Sequence, residues 1–177
     1  NFGDYQSLVL NHSVDANGAD QAGIRWYELR CSHSCASIAD WQIQQQSTFA
    51  PDADSRWMGS IGMDRVGNIA LGYSVSSNTT FPSIRYAGRL ANDPPNQLAQ
   101  GEGEIVAGGG SQIVSFGRWG DYSTMTLDPL DDCTFWYTNE YMPTTSSNGW
   151  ATKIASFKFP SCTPLALNYV YLPVVMR

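Results

Sequence analysis

Short apolar runs of two-residue period, each closed by a turn, follow one another along this chain. The clearest lie between Ser60 and Arg89, SIGMDRVGNIALGYSVSSNTTFPSIRYAGR. Ile69, Leu71, Tyr73 and Val75 alternate with smaller residues, the pattern of a strand with one strongly apolar face. Asp64-Arg65-Val66-Gly67-Asn68 is a tight turn in which Gly67 and Asn68 tolerate positive φ. The stretch therefore predicts strands at Ser60 to Asp64, Ile69 to Val75 and Ser83 to Arg89, with Ser76 to Pro82 as a polar loop. No segment shows the period of an amphipathic helix.

The same unit recurs on both sides. Leu10-Asn11-His12-Ser13-Val14 matches Leu71-Gly72-Tyr73-Ser74-Val75 at an offset of 61, and Ile24-Arg25-Trp26 matches Ile84-Arg85-Tyr86 at 60. Ile43, in Trp41 to Ser47, matches Ile105, in Gly103 to Gly108, at 62. Thr124 to Asp128 matches Ser60 to Asp64, and Phe135 to Thr138 matches Leu71 to Ser74, both at 64. Four short strands repeating near 60 residues predict β-propeller blades. The expected fold is all-β, a partial β-propeller of about three four-stranded antiparallel blades, at 1–55, 56–117 and 118–162. An apolar tail, 163–177, follows.

In this register Leu8 to Val14 is a second strand, so the first blade lacks its inner strand. A competing register aligns Phe2-Gly3-Asp4-Tyr5 with Trp119-Gly120-Asp121-Tyr122 and makes Leu8 to Asn11 a first strand. The last blade lacks an outer strand. Closed propellers need more blades than three, so open edges and exposed inner faces, with Ile61, Met63, Met125 and Leu127 on them, are expected. Such edges invite strand addition. The expected partners are the remainder of a precursor chain or identical copies, with Tyr169 to Val175 in the tail as the donated strand.

The chain has 177 residues, 42% of them hydrophobic and 15% charged, enough for a sizeable core. Its net charge is −6 and its only lysines are Lys153 and Lys158. Nucleic acid and anionic membrane surfaces are therefore poor partners. No apolar stretch reaches the length of a spanning helix. The chain starts at Asn1, which suggests processing, excision from a longer chain or an incomplete gene.

Cys31-Ser32-His33-Ser34-Cys35 reads first as a small disulfide loop, then as free thiols, and last as metal ligands, which are too few here. His33 reads as a solvated loop residue. Cys133 opens a strand and Cys162 follows a neighbouring one, close enough to bridge. Two local cysteine pairs favour an oxidising compartment, hence a secreted or cell-surface protein. Asp15, Asn17 and Asp20 are oxygen ligands at short spacing, but they lack the full Ca²⁺ loop and read first as a surface turn. Asn11 and Asn78 stand in sequons.

Arg56-Trp57-Met58-Gly59 and Arg118-Trp119-Gly120-Asp121-Tyr122 are related stretches, each expected to connect one blade to the next. Two arginines and two tryptophans on such connections can line one pocket: arginine forks a carboxylate, and tryptophan offers a face to a sugar or cation. The competing reading is structural, with each Trp wedged between blades and each Arg paired to a local carboxylate such as Asp54 or Asp121. Asp64 and Asp128 occupy equivalent turn starts and read as acceptors of backbone N–H bonds. Gly108-Gly109-Gly110 lacks the Lys-Ser/Thr of a phosphate loop.

RWMGSIGMDRVGNIALGYSVSS, PSIRYAGRL, RWGDYSTMTLDP and DDCTFWYTNEYMPTTSSNGW resemble the C-terminal part of large secreted bacterial proteins with propeller-type, sialidase-like repeats. The resemblance covers nearly all of Asn1 to Cys162. It implies further blades upstream of Asn1 and supplies no catalytic motif. The Ser-x-Asp-x-Gly-x-Thr-Trp box of sialidases is not present, and Asp64 to Asn68 only echoes its turn. Two function classes follow. The first is a non-catalytic extracellular module that binds a glycan, a protein or its own copies. The second is a glycoside hydrolase of sialidase-like architecture, with Asp4, Asp121, Tyr122 and Glu140 as candidate groups and Arg56 and Arg118 on a substrate carboxylate.

Overall fold

The computed structural model describes residues 1–32, 34–114 and 117–163; His33 and the tail strand expected at Tyr169 to Val175 lie outside the described residues. The protein is all-β. The first sheet is β1 (Gln6–Asp15), β2 (Ala22–Cys31) and β3 (Gln42–Phe49). The second is β4 (Ser55–Met63), β5 (Ile69–Ser76), β6 (Ser83–Arg89) and β7 (Glu102–Val106). The third is β8 (Thr124–Leu127), β9 (Phe135–Tyr141) and β10 (Ala151–Phe157). All pairings between these strands are antiparallel, in simple meanders. The only helical turn among the described residues is a 3₁₀ turn at Ile38–Asp40.

The sheets stack face to face, with the second between the other two, and alternation along β5 explains how. Ile69, Leu71 and Tyr73 point toward the first sheet and share a core with Ile24, Trp26 and Ala87. Ala70 joins the other core, with Met125, Phe135, Tyr137 and Phe159. Residues of both parities in β5 are therefore buried, and only Ser76 is partly open. The face toward the third sheet is cut back to make room. A Cβ on Gly72 would stand 2.5 Å from the Tyr137 ring, and one on Gly88 2.4 Å from the Phe159 ring.

Three expectations change. β1 runs beside β4 as β4 runs beside β8. Leu8 to Val14 thus holds the leading position in its sheet, as the competing register had it, and among the described residues the first sheet has no trailing strand. Alternation alone could not decide this, because every strand shares it. Second, Arg56 and Trp57 lie within β4, which starts at Ser55, instead of in a connection before it. Third, the inner-face residues are covered. Met125 is buried, and Ile61, Met63 and Leu127 are half-buried against the two cores. No closed ring of sheets forms among the described residues.

Both disulfides form, Cys31–Cys35 and Cys133–Cys162. The second closes a separation of 29 residues and ties the turn before β9 to the segment after β10. Among the described residues no helix is long and apolar enough to cross a membrane.

Candidate functional site

A β-bulge decides where the candidate side chains go. The register of β4 against β5 shifts between Trp57 and Ser60. Met58 takes a φ of 52°, outside the range most side chains favour. Its carbonyl accepts a 2.6 Å bond from Ser123 Oγ. The extra residue reverses which parity faces which sheet. Arg56, opposite Val75, turns to the first sheet; Trp57, opposite Ser74, turns to the third.

Arg56 therefore lies in the core, with no exposure. Its Nε and Nη2 donate to the Glu102 carboxylate at 2.8 and 3.2 Å, and its Nη1 and Nη2 to Asp52 at 2.8 and 3.0 Å. Tyr73 Oη donates to Glu102 at 2.7 Å, and Arg85 Nη1 does so at 3.0 Å. Burial pulls the Arg56 guanidinium down, but the two carboxylates more than reverse it, and its pKa is raised. Burial pushes Glu102 up, yet its bonds to Arg56 and Tyr73 hold it below its ordinary value. This is a structural ion cluster. Arg118 is elsewhere, exposed and paired with Asp121. The two arginines do not line one pocket; each meets a local aspartate, Asp52 for Arg56 and Asp121 for Arg118, which is the structural one of the two readings of their shared motif.

The two tryptophans do meet. Trp57 and Trp119 pack edge to face, with ring centroids 5.9 Å apart at 71°. Trp119 Nε1 donates to Ser74 Oγ at 3.1 Å, and Asn139 Nδ2 donates to the same oxygen at 3.0 Å. Trp119 is thus pinned to β5. Together the rings line a hollow of about 450 Å³ with Ser76, Asn78, Thr79, Phe81, Ser111 and Gln112. Among the described residues no charged side chain lines it. One wall is the Ser76 to Pro82 loop. Ser77 Oγ accepts from the Thr79 and Thr80 N–H groups at 3.2 and 3.1 Å, and Thr80 Oγ1 donates to Asp54 at 2.9 Å.

A second hollow of about 350 Å³ adjoins it, lined by Gln112, Arg118, Asp121, Glu140, Asn148 and Trp150 among others. Burial raises the Glu140 carboxyl, and the Asp121 charge adds to this against an N–H bond from Gly120. Gln112 stands between the hollows. It bridges Ser146, and Ile113 N–H and Ser146 N–H donate to Ser146 O and Ser111 O at 3.0 and 3.1 Å. The glycine run before it allows that approach. A Cβ on Gly110 would lie 1.9 Å from Thr145 N, and one on Gly109 2.3 Å from Pro143 O.

Of the remaining candidates, Tyr122 is 90% exposed and lines neither hollow. Asp4 lines neither as well. Asp15 Oδ1 accepts the N–H groups of Asn17 and Gly18 at 3.2 and 2.9 Å, as a turn residue does. Among the described residues no three His, Cys, Asp or Glu side chains gather as metal ligands. Asp64 accepts from Val66 and Asn68, and Asp128 from Leu130, so both cap turns as expected. Gln112, Ser111 and Trp150 escaped the sequence reading. The triple glycine was their one signal, since it marks a close backbone crossing.

Comparison with family models, with curated proteins and with solved structures finds no match to this chain.

Proposed function

We propose that this chain is a secreted, non-catalytic module of propeller type that binds a glycan in the hollow under Trp57 and Trp119. The observation that carries this is the pairing of two tryptophan rings with an uncharged wall of hydroxyl and amide groups. Sugars present apolar C–H faces, which stack on indole, and hydroxyls, which exchange bonds with Ser, Thr, Asn and Gln. Hollows of this size suit small ligands or parts of larger ones. The two disulfides support an oxidising, extracellular setting. Three meandering sheets stacked in chain order, leading strand beside leading strand, support the propeller-type arrangement. The outward face of the first sheet supports assembly with a further sheet.

A glycan array probed with the chain tests the reading. The expected result is a bound class of glycan whose affinity falls at least tenfold, about 1.4 kcal/mol, on Trp57→Ala or Trp119→Ala. An array without any hit, or variants that bind as well as the parent, sinks it. The glycoside-hydrolase alternative rests on the raised Glu140 carboxyl beside Asp121. Release of reducing sugar from a bound glycan, lost in Glu140→Gln, would select that alternative instead.

A further inference from the structure

We propose that the two hollows form a single track for an extended, uncharged oligosaccharide, which crosses Gln112 and stacks on Trp57 and Trp119 at one end and on Trp150 at the other. This rests on the glycan-binding reading and adds to it the length, charge and direction of the ligand. Three observations carry it.

The first is adjacency. Gln112 lines both hollows, so one side chain is common to the two. That side chain sits on backbone held by Ser146 and by the close passage of Gly109 and Gly110. It is placed to bond a ligand as it passes, and it ends in an amide that can donate and accept at once.

The second is that each hollow holds indole rings. The larger hollow holds Trp57 and Trp119, and the smaller one holds Trp150, which is 52% exposed. The open half of that indole is not taken up by packing. It offers a second stacking platform, which a ligand confined to one hollow would not use.

The third is charge. Among the described residues the larger hollow has no charged lining. In the smaller one Arg118 is neutralised by Asp121, which leaves Glu140 without a cationic partner there. The chain as a whole carries −6. An acidic sugar would meet repulsion and no free cation, whereas a neutral one meets only hydroxyl, amide and indole groups.

Calorimetric titration with cello-, chito- and manno-oligosaccharides, from disaccharide to hexasaccharide, tests this, with oligogalacturonate hexamer as the charged control. The expected result is that at least one neutral series gains tenfold or more in affinity between disaccharide and hexasaccharide. Trp150→Ala should erase that gain, while Trp150→Phe should keep part of it. Trp57→Ala should weaken every length. If hexasaccharide binds no tighter than disaccharide, or Trp150→Ala keeps the gain, the track is refuted while single-hollow binding stands. Tighter binding of the galacturonate hexamer than of any neutral sugar refutes the charge argument. If none of the neutral sugars binds, the track and the glycan-binding reading fail together.

Discussion

Arg56 keeps a full charge in the core because Asp52 and Glu102 both meet it, and Tyr73 Oη donates in turn to Glu102. Removing one partner of such a cluster is costly, since the guanidinium stays buried. Folding holds Glu102 below its ordinary value of 4.5 and, chiefly through its bond to Arg56, Asp52 below 3.8. Depressed carboxyls favour the folded state in their ionised form. Their contribution is complete above those ordinary values and is lost as pH falls through the lower, folded ones. Asp64, raised by burial, works in the opposite sense. We expect Glu102→Gln to lower stability by about 1–3 kcal/mol at pH 7 and to make the acid-side decline shallower. Urea midpoints between pH 2.5 and 7 measure both, and an unchanged midpoint at pH 7 would show that the cluster contributes nothing. The environment of Arg56 was not legible in the sequence. Arg56-Trp57 and Arg118-Trp119 are spelled alike, and only the bulge at Met58 sends one arginine inward while the other remains in solvent.

At the scale of the element, β5 is the strand buried on both faces, and the two faces are built differently. Large residues meet the first sheet, whereas Ala70, Gly72 and Ser74 meet the aromatic rings of the third. Gly72 faces the Tyr137 ring too closely for any Cβ, and that ring is held in turn by Asn139. Gly72→Ala should therefore destabilise the protein through overpacking, by about 1–3 kcal/mol, and Tyr137→Leu in the same chain should recover part of the loss. Denaturant melts of the single and double variants decide this; additive losses would mean that the two sites do not touch. Strand positions were legible because a two-residue period survives in every sheet. The turn at Asp64 was legible too, because its side chain and Gly67 carry their own geometry. Which face met which sheet was not, since that depends on residues some 60 positions away.

At the scale of the whole molecule the stack has two outward faces, and they differ. Register puts Leu8, Leu29 and Ile43 in one row across the first sheet, with Leu10 and Tyr27 beside it. Leu8 is 49% exposed, Leu10 37% and Ile43 53%. The third sheet shows Thr124, Thr126 and Thr138, with Trp136 and Ile154 as its exposed apolar side chains on two different rows. Rows of apolar side chains on a sheet face are the surfaces that the other two sheets bury against one another, and an apolar patch of this kind marks an interface. A further sheet packed on the first one would continue the stack in the same direction. With the chain alone in solution, a second copy is the available partner. We therefore expect sedimentation to show concentration-dependent self-association that Leu8→Lys with Ile43→Lys abolishes. Both substitutions are on exposed positions and should leave the melting of the chain nearly unchanged. A chain that stays monomeric at every concentration, or one whose association ignores both substitutions, would show that this face is not where copies meet.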